Sequence, residues 1–416
     1  MNEDRKIISF PLGRARSSST SPDTPFAPRE TGALIVGGGP AGLAAAIALR
    51  QRGIDSTVVE ARPPGIDKAC GEGLMPDALE SLAELGVPIS QSDGHPFQGI
   101  RFADSLHRVD ARFPQGPGIG VRRPHLHTLL ARRAEEAGTR VLWNSHIQLP
   151  VSAAAAPSAA EDMHTATVNG HPIRFRWLIG ADGQASQVRR WAGLDRIRTQ
   201  SLRYGFRTHY RVAPWSEFVE VHWARGGQLY VTPVAPDCVC IVYITRNARC
   251  DRTAILDQFP EVARQLCRAS PEPEPVSQQR GAVSATCKLR SVANDFVALI
   301  GDASGSADAI TGEGLAMSFR QAQALADSIA SGSLAPYRRA HPRVARLPHA
   351  MSALMLTLDR WAPLQVRAMR ALAANPAVFQ DLLSAHVGER SLPSVLLQCA
   401  PRFGWTLLRN EVNAWA

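Results

Sequence analysis

Gly37, Gly39 and Gly42 stand in G-x-G-x-x-G spacing, and Glu60 follows 18 residues after the last of them. Each residue type suits one task in holding a dinucleotide. The first glycine permits a tight turn. The second lets the backbone approach a pyrophosphate, and the third lets a helix pack closely on the strands. An acid at that distance accepts hydrogen bonds from ribose hydroxyls. The elements that must position these residues are legible around them. Ala33–Val36 is a short apolar run suited to a buried parallel strand. Pro40 and Ala41 begin an Ala/Leu-rich helix that ends near Gly53. Thr57–Val59 is a second strand, closed by Glu60, with Ala61 and Arg62 following. The free N–H groups at the helix start favour phosphate oxygens. This segment alone allows NAD or FAD.

Two later motifs narrow the choice. Trp177–Ala181 is an apolar run ending in Asp182-Gly183, with Ser186 and Arg189 at the start of a helix. Phe296–Ile300 is another, ending in Gly301-Asp302, and the turn Thr311-Gly-Glu-Gly-Leu315 opens a helix to about Ala330. An Asp-Gly pair can be a plain turn and Asp302 a helix cap, so each motif alone decides little. In this order, and with the N-terminal glycines, they resemble the para-hydroxybenzoate hydroxylase superfamily of flavoproteins over about residues 31–330.

The resemblance implies an α/β fold. A Rossmann-like FAD-binding domain of the glutathione reductase type is interrupted by an antiparallel β-sheet substrate domain. On this basis residues 31–90, 116–195 and 285–335 bind FAD, and residues 91–115 and 196–284 form the substrate domain. A disordered tail precedes them over 1–30, and a C-terminal helical region covers 336–416. Gly37, Gly39, Pro40, Ala41 and Gly42 meet the pyrophosphate, and Glu60, with Ala61 and Arg62, holds the adenosine ribose. Asp302 binds the ribityl chain. Asp182 and Gly183 support the pyrophosphate and reduced nicotinamide, and Arg123 reaches the flavin side. Gly312, Glu313, Gly314 and Leu315 lie at the flavin ring, where a helix N-terminus stabilises the negative charge of reduced flavin. Gly116-Pro-Gly-Ile-Gly120 lacks the strand–helix context of a second dinucleotide domain. The cofactor set is therefore FAD, with NAD(P)H as a transient reductant.

The stretch Lys68-Ala-Cys-Gly-Glu-Gly-Leu-Met-Pro76, together with Thr311–Leu315, is similar to the geranylgeranyl reductase branch of the superfamily. There a cysteine–glycine turn passes near the flavin. The hydroxylases usually carry His at the position of Gly305 and Pro at that of Ala309, and this chain has neither. The reductases' aromatic-rich signature is matched only in part by Gly227–Pro233, and the Trp-x-Trp of flavin-dependent halogenases is absent. The first expectation is a FAD-dependent monooxygenase. It would hydroxylate or epoxidise an apolar aromatic or polyketide/isoprenoid-like small molecule with dioxygen, through a flavin C4a-hydroperoxide kept from water. The alternative is a flavin-dependent reductase that saturates isoprenoid double bonds. A flavin fold that binds without turnover is a third, opposed by the intact Glu60, Asp182 and Asp302. Cys70 is a candidate catalytic side chain, as a thiolate beside flavin; the plainer reading, a small residue filling a tight turn beside the cofactor, is the favoured one.

Residues 200–246 alternate as strands, with Tyr204, Phe206, Thr208, Tyr210 and Val212 on one face and Val219, Val221 and Trp223 on another. These are expected to roof the flavin, aromatic side chains inward. Tyr230, His209 and His222 are candidate bases. Cys238 and Cys240 lack a second pair for zinc and read as small buried residues on one strand face, and His125 and His127 lack a third ligand, so no metal is expected.

Hydrophobic residues at 45% and charged residues at 20% describe an ordinary globular chain. Seven scattered cysteines form no disulfide framework. Absence of a signal-like apolar core or a spanning run points to the cytoplasm. The formal charge is +9, yet only three of the 46 basic residues are lysine, and no basic stripe with stacking aromatics suggests nucleic acid. From Arg338 onward ten arginines face four acids, so the excess gathers in the C-terminal region. There Met351–Asp359, Leu364–Leu383 and Ser391–Leu408 read as amphipathic helices. They either cap the substrate pocket or rest on a membrane through Trp361, Phe403 and Trp405.

Overall fold

The computed structural model describes residues 29–150, 163–249, 252–269 and 273–398. The N-terminal strand β1 (Arg29–Val36) begins inside the expected tail, because Arg29 already pairs with Ile173. Residues 1–28 and the end of the last expected helix, with Phe403 and Trp405, lie outside the described residues.

After β1 come α1 (Pro40–Gln51), β2 (Ser56–Val59), β3 (Gly73–Leu74) and α2 (Pro76–Glu84). Next are β4 (His95–Phe97), β5 (Gly99–Ala103), β6 (Arg108–Arg112) and β7 (Gly118–Gly120), then α3 (Arg123–Glu136). Strands β8 (Arg140–Leu142), β9 (Ile147–Gln148), β10 (His164–Val168) and β11 (His171–Gly180) lead to α4 (Gln187–Trp191). A meander follows: β12 (Ile197–Tyr210), β13 (Val219–Ala224), β14 (Gly227–Ala235) and β15 (Cys238–Thr245). Helices α5 (Arg252–Leu256) and α6 (Pro260–Ala269) precede β16 (Arg280–Leu289), β17 (Val297–Leu299) and β18 (Gly305–Ser306). Then come α7 (Gly314–Ala330), α8 (Ala335–Arg360), α9 (Ala362–Ala374) and α10 (Pro376–His386), and residues 392–398 are helical as far as the described residues run.

The first sheet runs β8-β2-β1-β11-β10-β9, with β17 also on β11. Strand β1 is flanked in parallel by β2 and β11, and Ala33, Leu34 and Ile35 have no exposure. A strand covered on both faces must be apolar throughout, which explains its unbroken hydrophobic run. Helix α1 packs on this sheet and α7 packs closely along α1, their Ala-rich faces allowing the approach within one core.

The second sheet runs β18-β16-β12-β15-β14-β13-β5-β6. Both β16 and the two residues of β18 belong to it, so it extends past the boundary expected at residue 284. Its aromatic side chains are divided differently from the sequence expectation. Tyr210 and Tyr243 pack with Phe259, Val262 and Leu266 of the α5–α6 side, away from the first sheet. The opposite face carries Arg203, Arg207 and His209, all buried. Cys238 and Cys240 share one face with Val234, Val242 and Ile244, as small core residues.

The C-terminal helices differ in their limits from the sequence reading. Helix α8 starts at Ala335 and contains Pro342 and Pro348. It is held by tertiary contacts: Tyr337 donates to the Leu299 carbonyl at 2.7 Å, and His341 Nε2 lies 2.9 Å from Ser304 Oγ. The expected Leu364–Leu383 helix is divided at Asn375-Pro376, because a proline lacks the N–H that would continue the ladder. Buried Arg203 ties this cap to the sheet: it faces Asp308 at 3.3 Å and Asp359 of α8 at 3.7 Å, and Gln228 hydrogen-bonds to both Arg203 and Asp359. No helix among the described residues is long and apolar enough to cross a membrane.

Candidate cofactor and substrate site

A cavity of about 1490 Å³ runs between the two sheets and into the C-terminal cap. Gly37, Gly39, Pro40, Ala41, Glu60, Ala61, Arg62, Arg123, Asp182, Gly183, Asp302, Gly312, Gly314 and Leu315 all line it. Gly42 and Glu313 do not.

The glycines follow the expected division of labour. Gly37 has φ +110°, and a Cβ there would lie 2.4 Å from the Ala181 carbonyl oxygen. A Cβ at Gly42 would come within 1.9 Å of the Gly37 oxygen, so this position fixes helix packing and not ligand contact. At Gly39 a Cβ would meet nothing within 4 Å: the backbone is open to the cavity. Helix α1 begins there with no side-chain cap and no acid in its first turn, and α7 begins the same way at Gly314. Two helix N-termini with unclaimed N–H groups therefore face one cavity, an arrangement that favours anionic ligand atoms.

Glu60 is buried and already organised. Its Oε2 accepts from Gly38 N at 2.7 Å and its Oε1 from Arg62 N at 3.0 Å. His127 fixes the same turn through Nε2, 2.9 Å from the Gly38 carbonyl oxygen. Asp302 pairs with Lys68 at 2.9 Å. Asp182 has a more structural task than sequence suggested: its oxygens receive Ser186 Oγ at 2.5 Å and Gln187 N at 2.6 Å, capping α4. Arg123 is buried, and its Nε has no hydrogen-bond partner. A buried guanidinium with an unmatched donor on a cavity wall fits an electron-rich ligand.

Cys70 also lines the cavity, with Sγ 4.0 Å from Arg123 Nη1. The next residue but one, Glu72, was not singled out by sequence and is central. It adopts φ +60° and is fully buried in its side chain. Its Oε1 accepts from Arg123 N at 3.0 Å and lies 3.4 Å from Arg207 Nη1, while its Oε2 is 2.6 Å from His209 Nε2. Arg207 in turn holds both oxygens of Asp67 at 2.7 Å. One carboxylate thus locks the cysteine turn to α3 and to the second sheet. Glu72, His209 and Cys240 bring ligand-type atoms within 4.8 Å of one another. Arg207 lies against two of them and supplies the positive charge that a cation would bring.

The candidate bases are committed elsewhere. His209 serves Glu72, His222 Nε2 is 2.9 Å from Glu220, and the Tyr230 hydroxyl donates to the Ile310 carbonyl at 2.7 Å. Of the three, only Tyr230 reaches the cavity, and burial raises its pKa further from neutrality. Beyond Tyr230 the walls are apolar: Ile100 and Phe102 of β5, Met351 and Met355 of α8, Leu372 of α9, Phe379 and Leu383 of α10. Sequence reasoning placed these helices over a pocket but could not name their inward residues.

The site is that of a flavoprotein: a glycine turn, an organised ribose acid and two open helix ends around one elongated cavity. Residues 30–334 match the family described as FAD binding domain, and the chain belongs to it. FAD is its cofactor, and the protein is an FAD-dependent oxidoreductase. Menaquinone reductase of Mycobacterium tuberculosis is 26% identical over 79% of this chain and 85% of its own length. The 6-methylpretetramide 4-monooxygenase of Streptomyces rimosus is 25% identical over 89% and 96%. A flavoprotein/dehydrogenase from Cytophaga hutchinsonii shares the fold at a TM-score of 0.74 and 16% identity, covering 91% of this chain and 99% of its own. A geranylgeranyl bacteriochlorophyll reductase-like protein from Thermoplasma acidophilum does so at 0.66 and 19%, covering 92% and 99%.

Proposed function

We propose that this enzyme saturates a carbon–carbon double bond in a long apolar, isoprenoid- or polyketide-like molecule. The observation that carries this reading is the cavity beyond the flavin loop, whose walls are mostly aliphatic and aromatic; Tyr230 on that wall donates its hydroxyl to a carbonyl, and His209 and His222 are paired with carboxylates away from it. Deprotonating a phenol needs a base at the substrate, whereas an olefin needs none. Bound FAD supplies a hydride. The chain's own residues align the olefin, exclude water and furnish the second hydrogen as a proton, with Cys70 on the wall beside Arg123 as the nearest thiol. NAD(P)H is proposed to re-reduce the cofactor transiently.

Glu60 is assigned to the adenosine ribose, Gly39 and the α1 N-terminus to the pyrophosphate, and Asp302 to the ribityl chain. Gly312, Gly314 and Leu315 are assigned to the flavin ring. We further propose that the cavity mouth rests on a lipid surface. Leu354 and Leu396 are both cavity-lining and exposed, and exposed Trp361 stands nearby with Arg360.

Oxygenation is the second reading, favoured by the mostly apolar cavity walls and by the near full-length Streptomyces rimosus relative. The test uses geranylgeranyl diphosphate with anaerobically reduced enzyme. A product heavier by two hydrogens supports saturation. Product that forms only in air and carries one added oxygen overturns it in favour of the monooxygenase.

A further inference from the structure

Behind the flavin loop lies a group of ionisable side chains that the proposed reaction does not use. Glu313 sits between Gly312 and Gly314, yet its side chain turns from the cavity and is 1% exposed. Neither of its oxygens makes a hydrogen bond of normal geometry. Around it stand Asp77 of α2, Arg320 of α7 and His386 of α10. Arg320 Nη2 is 3.2 Å from Asp77 Oδ2, and His386 Nδ1 is 3.6 Å from Glu313 Oε2. His386 also lines the cavity, and its Nε2 lies 3.3 Å from the Thr311 carbonyl oxygen. That contact assigns the ring hydrogen to Nε2 and leaves Nδ1 free to accept a proton.

Charge counting decides the protonation pattern. Two buried carboxyls share one guanidinium, so both cannot ionise cheaply. Burial first, and then the neighbouring Asp77, push the Glu313 carboxyl up to about 8. Burial also raises Asp77, against the pull of Arg320, and lowers His386. At neutral pH the pair is therefore a protonated Glu313 beside a neutral His386.

We infer that Glu313, packed with Asp77, Arg320 and His386 beneath the loop Gly312–Leu315, is a proton store coupled to reduction of the FAD bound on the loop's other side. His386 is its connection to the cavity. The inference rests on FAD binding and not on the choice of substrate. Reduction by a hydride, two electrons and one proton from a reduced nicotinamide, leaves one added negative charge near the loop. That charge favours the neutral form of Glu313. Where Glu313 is ionised before reduction, its carboxylate takes one further proton from water as the electrons arrive. Where it is already protonated it holds that proton, and passes it to His386 Nδ1 when the cavity demands one.

The test is the midpoint potential of the purified FAD protein between about pH 7 and pH 10, without substrate. The expected plot falls with a slope of one proton per two electrons near neutrality and steepens twofold above about pH 8. Glu313→Gln should keep the single slope throughout. Asp77→Asn should move the break to lower pH, because removing a negative neighbour lowers the Glu313 pKa; it also serves if the glutamine variant fails to fold. Reduced-minus-oxidised infrared spectra above the break should show a protonated carboxyl band that Glu313→Gln lacks. A single slope in the wild-type protein, or a doubling that survives in Glu313→Gln, overturns the inference. Neither outcome bears on whether the substrate is an olefin.

Discussion

At the cofactor end of the cavity, Gly37, Gly39 and Gly42 fall within one turn and helix start, and their backbone geometry shapes the site. At the far end, Phe102 comes from β5, and Met355, Leu372 and Phe379 come from three successive helices more than 200 residues further on. The first end recognises charge. Phosphate oxygens need N–H groups at fixed positions, so particular residue types must occur at particular spacing. The second end recognises apolar volume, which many side chains can provide. One half of the molecule is therefore constrained residue by residue, and the other only in sum.

The largest effect should come from the constrained half. Gly39→Val places a branched side chain in open space, so the fold should persist while the pyrophosphate position is blocked. FAD affinity should fall at least about 100-fold, equivalent to about 2.7 kcal/mol. The purified variant should be colourless with an unchanged circular dichroism spectrum. Full yellow colour would remove the assignment of this turn to the cofactor.

Next in size is the link between the halves. Glu72→Ala leaves Arg207 and His209 facing a buried gap, since Glu72 is their shared acceptor. Removing one partner of a buried ion pair costs about 3–5 kcal/mol. Urea denaturation of the FAD-bound protein measures this directly. A loss below about 1 kcal/mol would mean that Asp67 alone holds Arg207.

Glu72 also marks where sequence reasoning stopped. The glycine turn, the Asp182 and Gly301-Asp302 strand ends and the Gly312–Leu315 loop were legible because each is a local pattern with a backbone cause. Cys70 drew attention for its chemistry, while Glu72, two residues on, did not. Its partners Arg207 and His209 lie more than 130 residues away, and only strand register brings them there. The inward aromatic face was misjudged for a related reason. Alternation along β12 separates two faces but does not say which one meets the cavity: Gly205 lines it, Tyr210 packs on the opposite side with Phe259, and buried Arg203 and Arg207 share the face of Gly205. Pro376 marked a candidate split of the expected helix, since proline lacks the N–H a helix interior needs, but Pro342 and Pro348 lie inside α8 without ending it, so proline alone does not decide where a helix stops.

A smaller change sharpens the apolar half. Leu372→Trp enlarges a side chain on the cavity wall, at a packing cost of about 1–3 kcal/mol. FAD content should be unchanged. The kcat/KM for a geranylgeranyl probe should drop about 10-fold while that for a geranyl probe stays within about twofold, a difference near 1.4 kcal/mol. Equal losses for both would place the chain of the substrate elsewhere.

The smallest effect belongs to the mouth. Trp361 is 61% exposed at the α8–α9 corner, so Trp361→Ala should alter stability by less than about 0.5 kcal/mol. It lines a shallow recess with Leu364, which also lines the main cavity, so the exposed indole and the apolar wall are continuous. If a lipid surface delivers the substrate here, the indole sits at the headgroup level with Arg360 beside it, and both groups gain from an anionic interface. Cosedimentation with phosphatidylglycerol vesicles should then weaken about fivefold in Trp361→Ala, near 1 kcal/mol. Turnover of a detergent-solubilised probe should be unaffected, because the indole touches neither cofactor nor substrate in this reading. Vesicle binding that is absent in the wild type, or unchanged in the variant, would leave the apolar half as a closed pocket filled from water, and the two ends of the cavity would then differ in chemistry but not in the phase they face.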